Sequence, residues 1–368
     1  MISAGWGEVR ARRLARCGLT TRFADLVEAT QATCGIHAQV QASGELQLAA
    51  RVDGVSQAAV RDALWQRRTL AKAWTLRGTL HLHAADDLPL WHAATRRGSS
   101  SSGLEEWRDP EGVLHPAVSA RQVAAAEAAV LAALADGALT RDELARAVRH
   151  PAARDRLRSG FAFLTGDLCQ GPPRGAKVTL ARPDRWLPGW RDVLRTEAVL
   201  TACRRFLHTY GPARPSDFRE WLAGRSLGLE EARESFDAVG VEEIEVEGRR
   251  SYVLAGDTSF PRPLPSVRLL PEYDVYVMAS REREQLVPGR VREQMQRERG
   301  SYDGPAGTRF LLVDGVAAGL WDRTRRGKRL ELTVRPAVRL TKSQRAELEG
   351  EVERFACFLG LEPVLELA

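Results

Sequence analysis

The sequence predicts an α+β fold with three tandem winged-helix modules and a C-terminal β-barrel-like domain. Three successive stretches repeat one order of elements: a helix, a short break, a second helix with its own cap, and a β-hairpin. A helix pair followed by a two-stranded wing is the winged-helix plan, and its repetition indicates tandem modules. The pattern changes after a proline-rich linker at 261–265. We therefore expect modules at 1–119, 120–195 and 196–260, and a barrel-like domain with a terminal helix at 261–368.

Capping signals place the helices of this plan. Ser56, Thr140, Ser216 and Thr341 each stand where the side-chain oxygen of a helix N-cap is expected. Thr140 is followed three residues later by Glu143, which is the pattern of a capping box. The helices are expected over 8–17, 23–30, 121–134, 196–210 and 342–359, with further capped helices from Ser56 to Arg67, from Thr140 onward, and from Ser216 to Leu222.

Glycine-containing turns place the strands. Arg77-Gly78, Glu247-Gly248 and Asp314-Gly315 are flanked by strand-like runs, and glycine at a two-residue turn is typical of a β-hairpin. Strands are expected over 71–76, 79–83, 177–181, 241–246, 251–254, 267–279, 309–313, 316–321 and 329–334.

The charge balance favours nucleic acid as a partner. The 368 residues include 54 Lys and Arg against 48 Asp and Glu, which gives a net charge of +6 and a pI near 9.3. Arginine supplies nearly all of the positive charge, and its planar group suits bidentate contacts to phosphates and base edges. High-GC coding also favours arginine, so composition alone does not establish DNA binding.

Cysteine usage and hydropathy exclude several other classes. The five cysteines are odd in number and widely spaced without a Cys-x-x-Cys pair, which argues against a disulfide framework or a structural zinc site. No uninterrupted apolar segment approaches the ~20 residues that a membrane span needs. Residues 1–13 also lack the apolar core of a signal peptide. We expect a cytoplasmic protein without membrane contact that associates with the nucleoid by binding DNA.

Two glutamines, Gln39 and Gln41, form the most informative short pattern, with Val40 between them. In a bent or extended backbone, side chains two residues apart can converge on one point. Two amides offer two carbonyl acceptors and four N–H donors, enough to hold a water together with a sugar or base edge. The alternative is a polar helix end that faces solvent.

A second candidate is a hairpin at 321–329 with a basic tip. A narrow basic hairpin fits a nucleic-acid groove, and each phosphate contact adds salt-sensitive affinity. The alternative is a solvated turn that protects a sheet edge. The five basic residues are Arg323, Arg325, Arg326, Lys328 and Arg329.

His81 and His83 are the only pair that suggests a metal site, and further ligands at a recognisable spacing are absent. Alternate residues of a strand share a face, so packing or a polar contact is the better interpretation. The sequence also lacks a phosphate-binding glycine loop and a Gly-x-Ser-x-Gly elbow. We therefore expect no metal and no cofactor.

Three segments together resemble the bacterial winged-helix DNA glycosylases of the AlkZ/YcaQ kind. They are the Ala-Gln-Val-Gln segment at 38–41, the block Trp-Thr-Leu-Arg-Gly-Thr-Leu-His-Leu at 74–82, and Leu-Pro-Glu-Tyr-Asp at 270–274. The resemblance covers nearly the whole chain. It implies three winged-helix modules and a C-terminal β-barrel, in agreement with the segmentation above.

The resemblance also implies an activity and a site. Members of that family remove N7-alkylated purines from DNA, and some unhook interstrand crosslinks made by natural-product alkylators. Their catalytic motif is glutamine, an aliphatic residue, then aspartate or glutamine, so Gln39 and Gln41 would be catalytic in a glutamine subtype linked to antibiotic self-resistance. The basic hairpin at 323–329 would contact DNA. Because a tethered base cannot flip fully, we expect both glutamines to be exposed on the floor of an open, basic cleft.

Two other functions fit the residues alone. A transcription regulator could use winged helices, but such proteins usually need two-fold symmetry, and no dimerisation segment is evident. A protein that sequesters an alkylating drug or shields lesions would also bind DNA without catalysis. The resemblance therefore implies a DNA glycosylase acting on double-stranded DNA with alkylated or crosslinked purines. We expect it to be a monomer, and these two functions are the alternatives.

Overall fold

The computed structural model describes residues 2–95, 105–108, 112–148, 168–222, 227–299 and 305–368. These ranges form an α+β structure with helices, three larger sheets and a separate two-stranded ribbon. Across these ranges, no helix combines the length and apolarity required to cross a membrane.

Three of the four predicted caps begin helices. The Ser56 hydroxyl accepts the N–H of Ala59 at 3.2 Å, and Thr140 forms the predicted capping box with Glu143. Thr341 likewise caps the closing helix. The helices are α1 Trp6–Arg16, α2 Leu26–Ala32, α3 Gln41–Ala49, α4 Gln57–Trp65, α5 Leu88–Thr95, α6 Ala120–Ala133, α7 Arg141–Ala147, α8 Pro183–Trp186, α9 Arg195–Tyr210, α10 Pro215–Leu222, α11 Leu229–Val239, α12 Val275–Ala279, α13 Arg283–Leu286, α14 Gly289–Arg299 and α15 Lys342–Leu359.

Three local predictions are wrong. The two-residue turn predicted at Arg77-Gly78 is a longer connection that contains a 3-10 turn over Leu76–Gly78. Helix α10 begins at Pro215, so Ser216 lies inside its first turn instead of capping it. Proline suits that first position because its missing N–H would have no partner there. The strand predicted over 267–279 ends at Leu270. Tyr273 has a left-handed φ of 61°, which interrupts an extended chain, and Asp274 then caps α12.

The strands form one six-stranded, one five-stranded and one three-stranded sheet. Their orders are β2-β4-β3-β8-β9-β7, β12-β13-β14-β15-β16 and β1-β10-β11, and β5 pairs with β6. The strands are β1 Ile2–Ala4, β2 Ile36–His37, β3 Leu70–Trp74, β4 Leu80–Ala84, β5 Trp107–Arg108, β6 Leu114–His115, β7 Leu139–Thr140, β8 Cys169–Arg174, β9 Lys177–Ala181, β10 Val241–Val246, β11 Arg249–Leu254, β12 Val267–Leu270, β13 Phe310–Val313, β14 Val316–Arg326, β15 Arg329–Pro336 and β16 Glu362–Leu367.

The C-terminal sheet is half-barrel-like and longer than the sequence predicts. Strands β14 and β15 pair from Gly319 with Pro336 to Arg326 with Arg329, so the basic hairpin is one continuous ribbon. Strand β16 adds a parallel edge to β15 and was not predicted. Its residues are mostly exposed, and such a strand lacks the alternation of buried and exposed residues by which strands are predicted.

The hydrophobic core joins segments that are distant in sequence. One cluster of buried residues extends from Leu14 to Phe358 and includes side chains from the first stretch, the third stretch and the C-terminal sheet. The second stretch has a separate cluster around Val130 and Leu144. The hairpins β3–β4 and β8–β9 nevertheless belong to one sheet, in which Lys72 pairs with Gln170. The first stretch therefore shares a core with the third stretch and the C-terminal sheet, and it shares a sheet with the second stretch.

Candidate active site

Gln39 lies on a short loop between β2 and α3. The side chain is exposed, and its Oε1 accepts the backbone N–H of Leu80 at 3.2 Å. The N–H of Ala38 donates to the carbonyl of the same Leu80 at 2.7 Å. Gly44 of α3 permits this close approach, because a Cβ there would be 2.8 Å from the Cβ of Ala38. The loop and the Gln39 amide are thus tied to strand β4.

Gln41 is the first residue of α3 and is only partly exposed. Its Oε1 accepts a hydrogen bond from Nζ of Lys72 at 2.8 Å, and its Nε2 donates to Oε1 of Glu45 at 3.1 Å. Because Lys72 lies on β3, the neighbour of β4, both glutamines are attached to adjacent strands of one sheet. A solvent-facing helix end would not have these contacts.

Glu45 and Lys72 are functional candidates that the sequence analysis missed. Their residues are 1% and 4% exposed. Burial lowers the pKa of Lys72 to about 8, and the carboxylate of Glu45 opposes this shift. The Lys72 side chain therefore remains mostly protonated at pH 7. The sequence signal that could have identified Lys72 is a lysine, one of four in the chain, within the otherwise apolar run Leu70–Trp74.

Three histidines lie beneath the glutamine loop and are uncharged. His37 stacks on Tyr273 with ring centroids 5.1 Å apart and meets the edge of His81 at 5.1 Å. Burial lowers the pKa of His37 to about 4 and that of His83 to about 3, and it also lowers the pKa of His81 well below its usual range. No imidazolium is therefore available from these residues as a general acid near pH 7. Within the described ranges, no group of three or more His, Cys, Asp or Glu is arranged to hold a metal ion.

Helix α3 is fastened to the C-terminal part of the chain. Gln47 donates to the carbonyl of His37 at 2.9 Å and accepts the N–H of Val275 at 3.1 Å. Arg51 and Asp274 form a bidentate ion pair at 2.7 and 2.9 Å, and both side chains are 0% exposed. The segment at 270–274, one of the three that carry the family resemblance, therefore holds the glutamine-bearing helix in place.

Breaking this buried ion pair is expected to destabilise the protein. In Asp274→Ala, Arg51 would keep its charge without a partner in the interior, which typically costs about 3–5 kcal/mol. The free energy of unfolding, measured by urea denaturation, should fall by that order. Asp62→Ala, which breaks a partly exposed pair with Arg67, is the control and should change stability by at most about 1 kcal/mol. Equal losses in the two variants would contradict the assigned role.

The basic hairpin extends from the neighbourhood of α3 into solvent. Burial lowers the pKa of Arg323 at its base, and the charges of Glu272 and Glu45 oppose this shift. The other four basic residues, Arg325, Arg326, Lys328 and Arg329, are exposed.

Two of these four are engaged in ion pairs. Arg326 pairs with Glu331 at 3.0 Å and Arg329 with Glu362 at 3.6 Å. Arg325 and Lys328 have no carboxylate partner in the part of the chain that the structure describes. These two charges are the freest to meet an external anion.

Known proteins resemble this chain in sequence and in fold. A family described as "DNA glycosylase AlkZ-like" matches residues 30–358. An interstrand DNA cross-link repair glycosylase of Streptomyces sahachiroi is 28% identical over 340 residues, which cover 87% of this chain and 88% of that protein. The solved structure of Streptomyces sahachiroi DNA glycosylase AlkZ matches with a TM-score of 0.81 and 25% identity over 100% of both chains.

Fold and sequence together define a DNA glycosylase, a hydrolase that acts on N-glycosyl bonds. Within that class, the chain belongs to the AlkZ-like family, because the model of that family matches most of the chain. The resemblance stated from three short segments is confirmed. Membership in a family of enzymes favours catalysis over the transcription regulator and over a non-catalytic lesion-binding protein.

Proposed function

We propose that this chain hydrolyses the N-glycosidic bond of N7-alkylated purines in double-stranded DNA and unhooks interstrand crosslinks, with Gln39 and Gln41 as its catalytic residues. The observation that carries the proposal is the pair of amides tied to adjacent strands β3 and β4. Support for the crosslink comes from the Streptomyces sahachiroi relative, whose name specifies interstrand cross-link repair.

The substrate's own charge makes such a site sufficient. Alkylation at N7 gives the purine a positive charge, so the base leaves as a neutral molecule and needs no general acid. The bond between C1′ and N9 breaks and its electron pair neutralises the purine, while water adds to C1′ and loses a proton to solvent. The transition state resembles a sugar oxocarbenium ion, as in glycoside cleavage. This chemistry agrees with the neutral histidines beneath the loop.

The glutamines would act by position and dipole. Each carbonyl oxygen accepts one hydrogen bond from the protein and retains a second lone pair. These lone pairs would hold the attacking water and face the developing positive charge at C1′. Fixed dipoles of this kind contribute about 2–4 kcal/mol per well-placed group.

Access to the site suits a base that stays tethered to the opposite strand. Enzymes acting on single lesions usually rotate the base into a closed pocket, which a crosslink prevents. Gln39 is exposed and Val40 is 42% exposed, so this loop is reachable from solvent. The proposal includes an open basic cleft and three winged-helix modules with the predicted boundaries. It also includes a monomeric protein that binds DNA through Arg323, Arg325, Arg326, Lys328 and Arg329.

A crosslinked duplex tests the proposal. Wild-type protein is incubated with a duplex carrying one interstrand crosslink between N7 atoms of opposite guanines, and strands are separated on a denaturing gel. We expect separated strands, one with an abasic site and the other with the released base still attached. Tight binding without strand separation would contradict unhooking and would favour a lesion-binding protein. A duplex with a single N7-methylguanine, run in parallel, distinguishes a narrower glycosylase from an inactive protein.

A further inference from the structure

The side-chain amide of Gln41 lies between two buried ions of opposite charge. Its oxygen is 2.8 Å from Nζ of Lys72, and its nitrogen is 3.1 Å from Oε1 of Glu45. Lys72 reaches it from strand β3, whereas Glu45 is one turn further along α3. An amide flanked in this way is held by charge at both of its ends.

Hydrogen bonds hold the side chains of Glu45 and Lys72 in this arrangement. Glu45 also accepts from Nε2 of Gln57 at 2.6 Å and from Nε of Arg61 at 3.0 Å, so its carboxylate is fixed from α4. Among the described residues, the acceptor for Nζ of Lys72 is the side-chain oxygen of Gln41. The lysine therefore has a specific task at Gln41 in an otherwise apolar strand.

The two contacts distinguish the two ends of the amide. Oxygen and nitrogen of a glutamine amide are nearly equal in size, so packing alone selects neither orientation. After a flip, the amide N–H groups would face the ammonium of Lys72, and the amide oxygen would face the carboxylate of Glu45. Both contacts would become repulsive. Charge-assisted hydrogen bonds are strong enough to favour one orientation by about 10-fold or more each.

We infer that Lys72 and Glu45 are positioning residues that hold the Gln41 amide in its working orientation and require a neutral side chain at position 41. This inference rests on the proposed catalytic role of Gln41. A carboxylate at that position could still accept from Lys72, but it would place an oxygen against Glu45. The residue at position 45 therefore determines whether an amide or a carboxylate functions at position 41.

An exchange of the two groups tests this dependence. Gln41→Glu is expected to lower the single-turnover rate of N7-methylguanine excision about 100-fold, because two like charges meet in a buried site. Glu45→Gln is expected to be slower than wild type. The double variant Gln41→Glu/Glu45→Gln restores one amide and one carboxylate, so its rate should exceed that of Gln41→Glu by about 10-fold or more. This coupling is the signature of a direct interaction.

The lysine is tested separately with Lys72→Met, which keeps the length of the side chain but removes its donors. We expect the excision rate at saturating protein to fall about 10-fold or more, with the DNA dissociation constant and the unfolding temperature unchanged within about two-fold and a few degrees. Lys177→Met is the control, because Lys177 is an exposed lysine on β9 that pairs with Asp142.

The outcomes separate this inference from the proposed function. If wild-type protein fails to excise, the proposed function falls. If wild type excises and Gln41→Ala does not, while Lys72→Met retains the wild-type rate, only the positioning role is overturned. A double variant no faster than Gln41→Glu would overturn the role of Glu45, and circular dichroism of each variant would reveal a folding failure.

Discussion

Replacing both Gln39 and Gln41 with alanine is expected to abolish excision of N7-methylguanine from duplex DNA. Each carbonyl is assigned a contact that strengthens as positive charge develops at C1′, and loss of one such group typically lowers the rate by about 10²–10³-fold. The two losses together would bring the rate to the spontaneous background. Single-turnover kinetics with excess protein is the measurement, because it reports the chemical step without product release.

A matched substitution and a binding assay make this result specific. Gln31→Ala removes an exposed glutamine from α2 and should leave the excision rate unchanged. The double variant should bind the same duplex with unaltered affinity, since phosphate contacts are assigned to the basic hairpin. An excision rate near that of wild type in the double variant would show that the glutamines are not catalytic.

Neutralising Arg325 and Lys328 together is expected to weaken DNA binding by about 10-fold or more at low salt. Each phosphate contact that is lost should make the slope of log K against log[salt] shallower by about 0.9. In Arg325→Gln/Lys328→Gln the slope should therefore be shallower by about 1.8. These two residues are chosen because Arg326 and Arg329 already have carboxylate partners. Binding is measured by fluorescence anisotropy over a series of salt concentrations.

The control removes the same charge elsewhere. Lys342→Gln/Arg345→Gln changes two exposed basic residues at the start of α15, and its salt dependence should match that of wild type. If both double variants lose affinity and slope equally, binding would depend on net charge, and the hairpin would not be the DNA-contacting element.

Short sequence patterns predicted several helix starts and turns, because the interactions that form them involve only neighbouring residues. The capping box of Thr140 and Glu143 needs only four residues, and the turn at Glu247-Gly248 needs only a glycine between two strands. The glutamine pair is also a local pattern, and the chemistry proposed for it rests on two amides with one residue between them. One failure arose where a single residue changes the chain direction, as the left-handed Tyr273 does before α12.

The supporting residues of the site could not be predicted in the same way. Lys72 meets Gln41 only because β3 pairs with β4 and β4 holds the loop of Gln39. Asp274 meets Arg51 across more than two hundred residues. Such contacts depend on the packing of distant segments, and the continuous core from Leu14 to Phe358 shows how closely those segments are packed. A buried ion in an apolar segment is the sequence signal worth seeking.

The most direct test of the central claim compares a cationic lesion with a neutral one. Wild-type protein is given duplexes that carry either N7-methylguanine or O6-methylguanine at the same position, and the released base is quantified by mass spectrometry under single-turnover conditions. A site that works by dipoles and without a general acid should release N7-methylguanine and leave O6-methylguanine in place. Release of both bases at similar rates would contradict this mechanism, and release of neither from a protein that binds both duplexes would contradict the glycosylase activity itself.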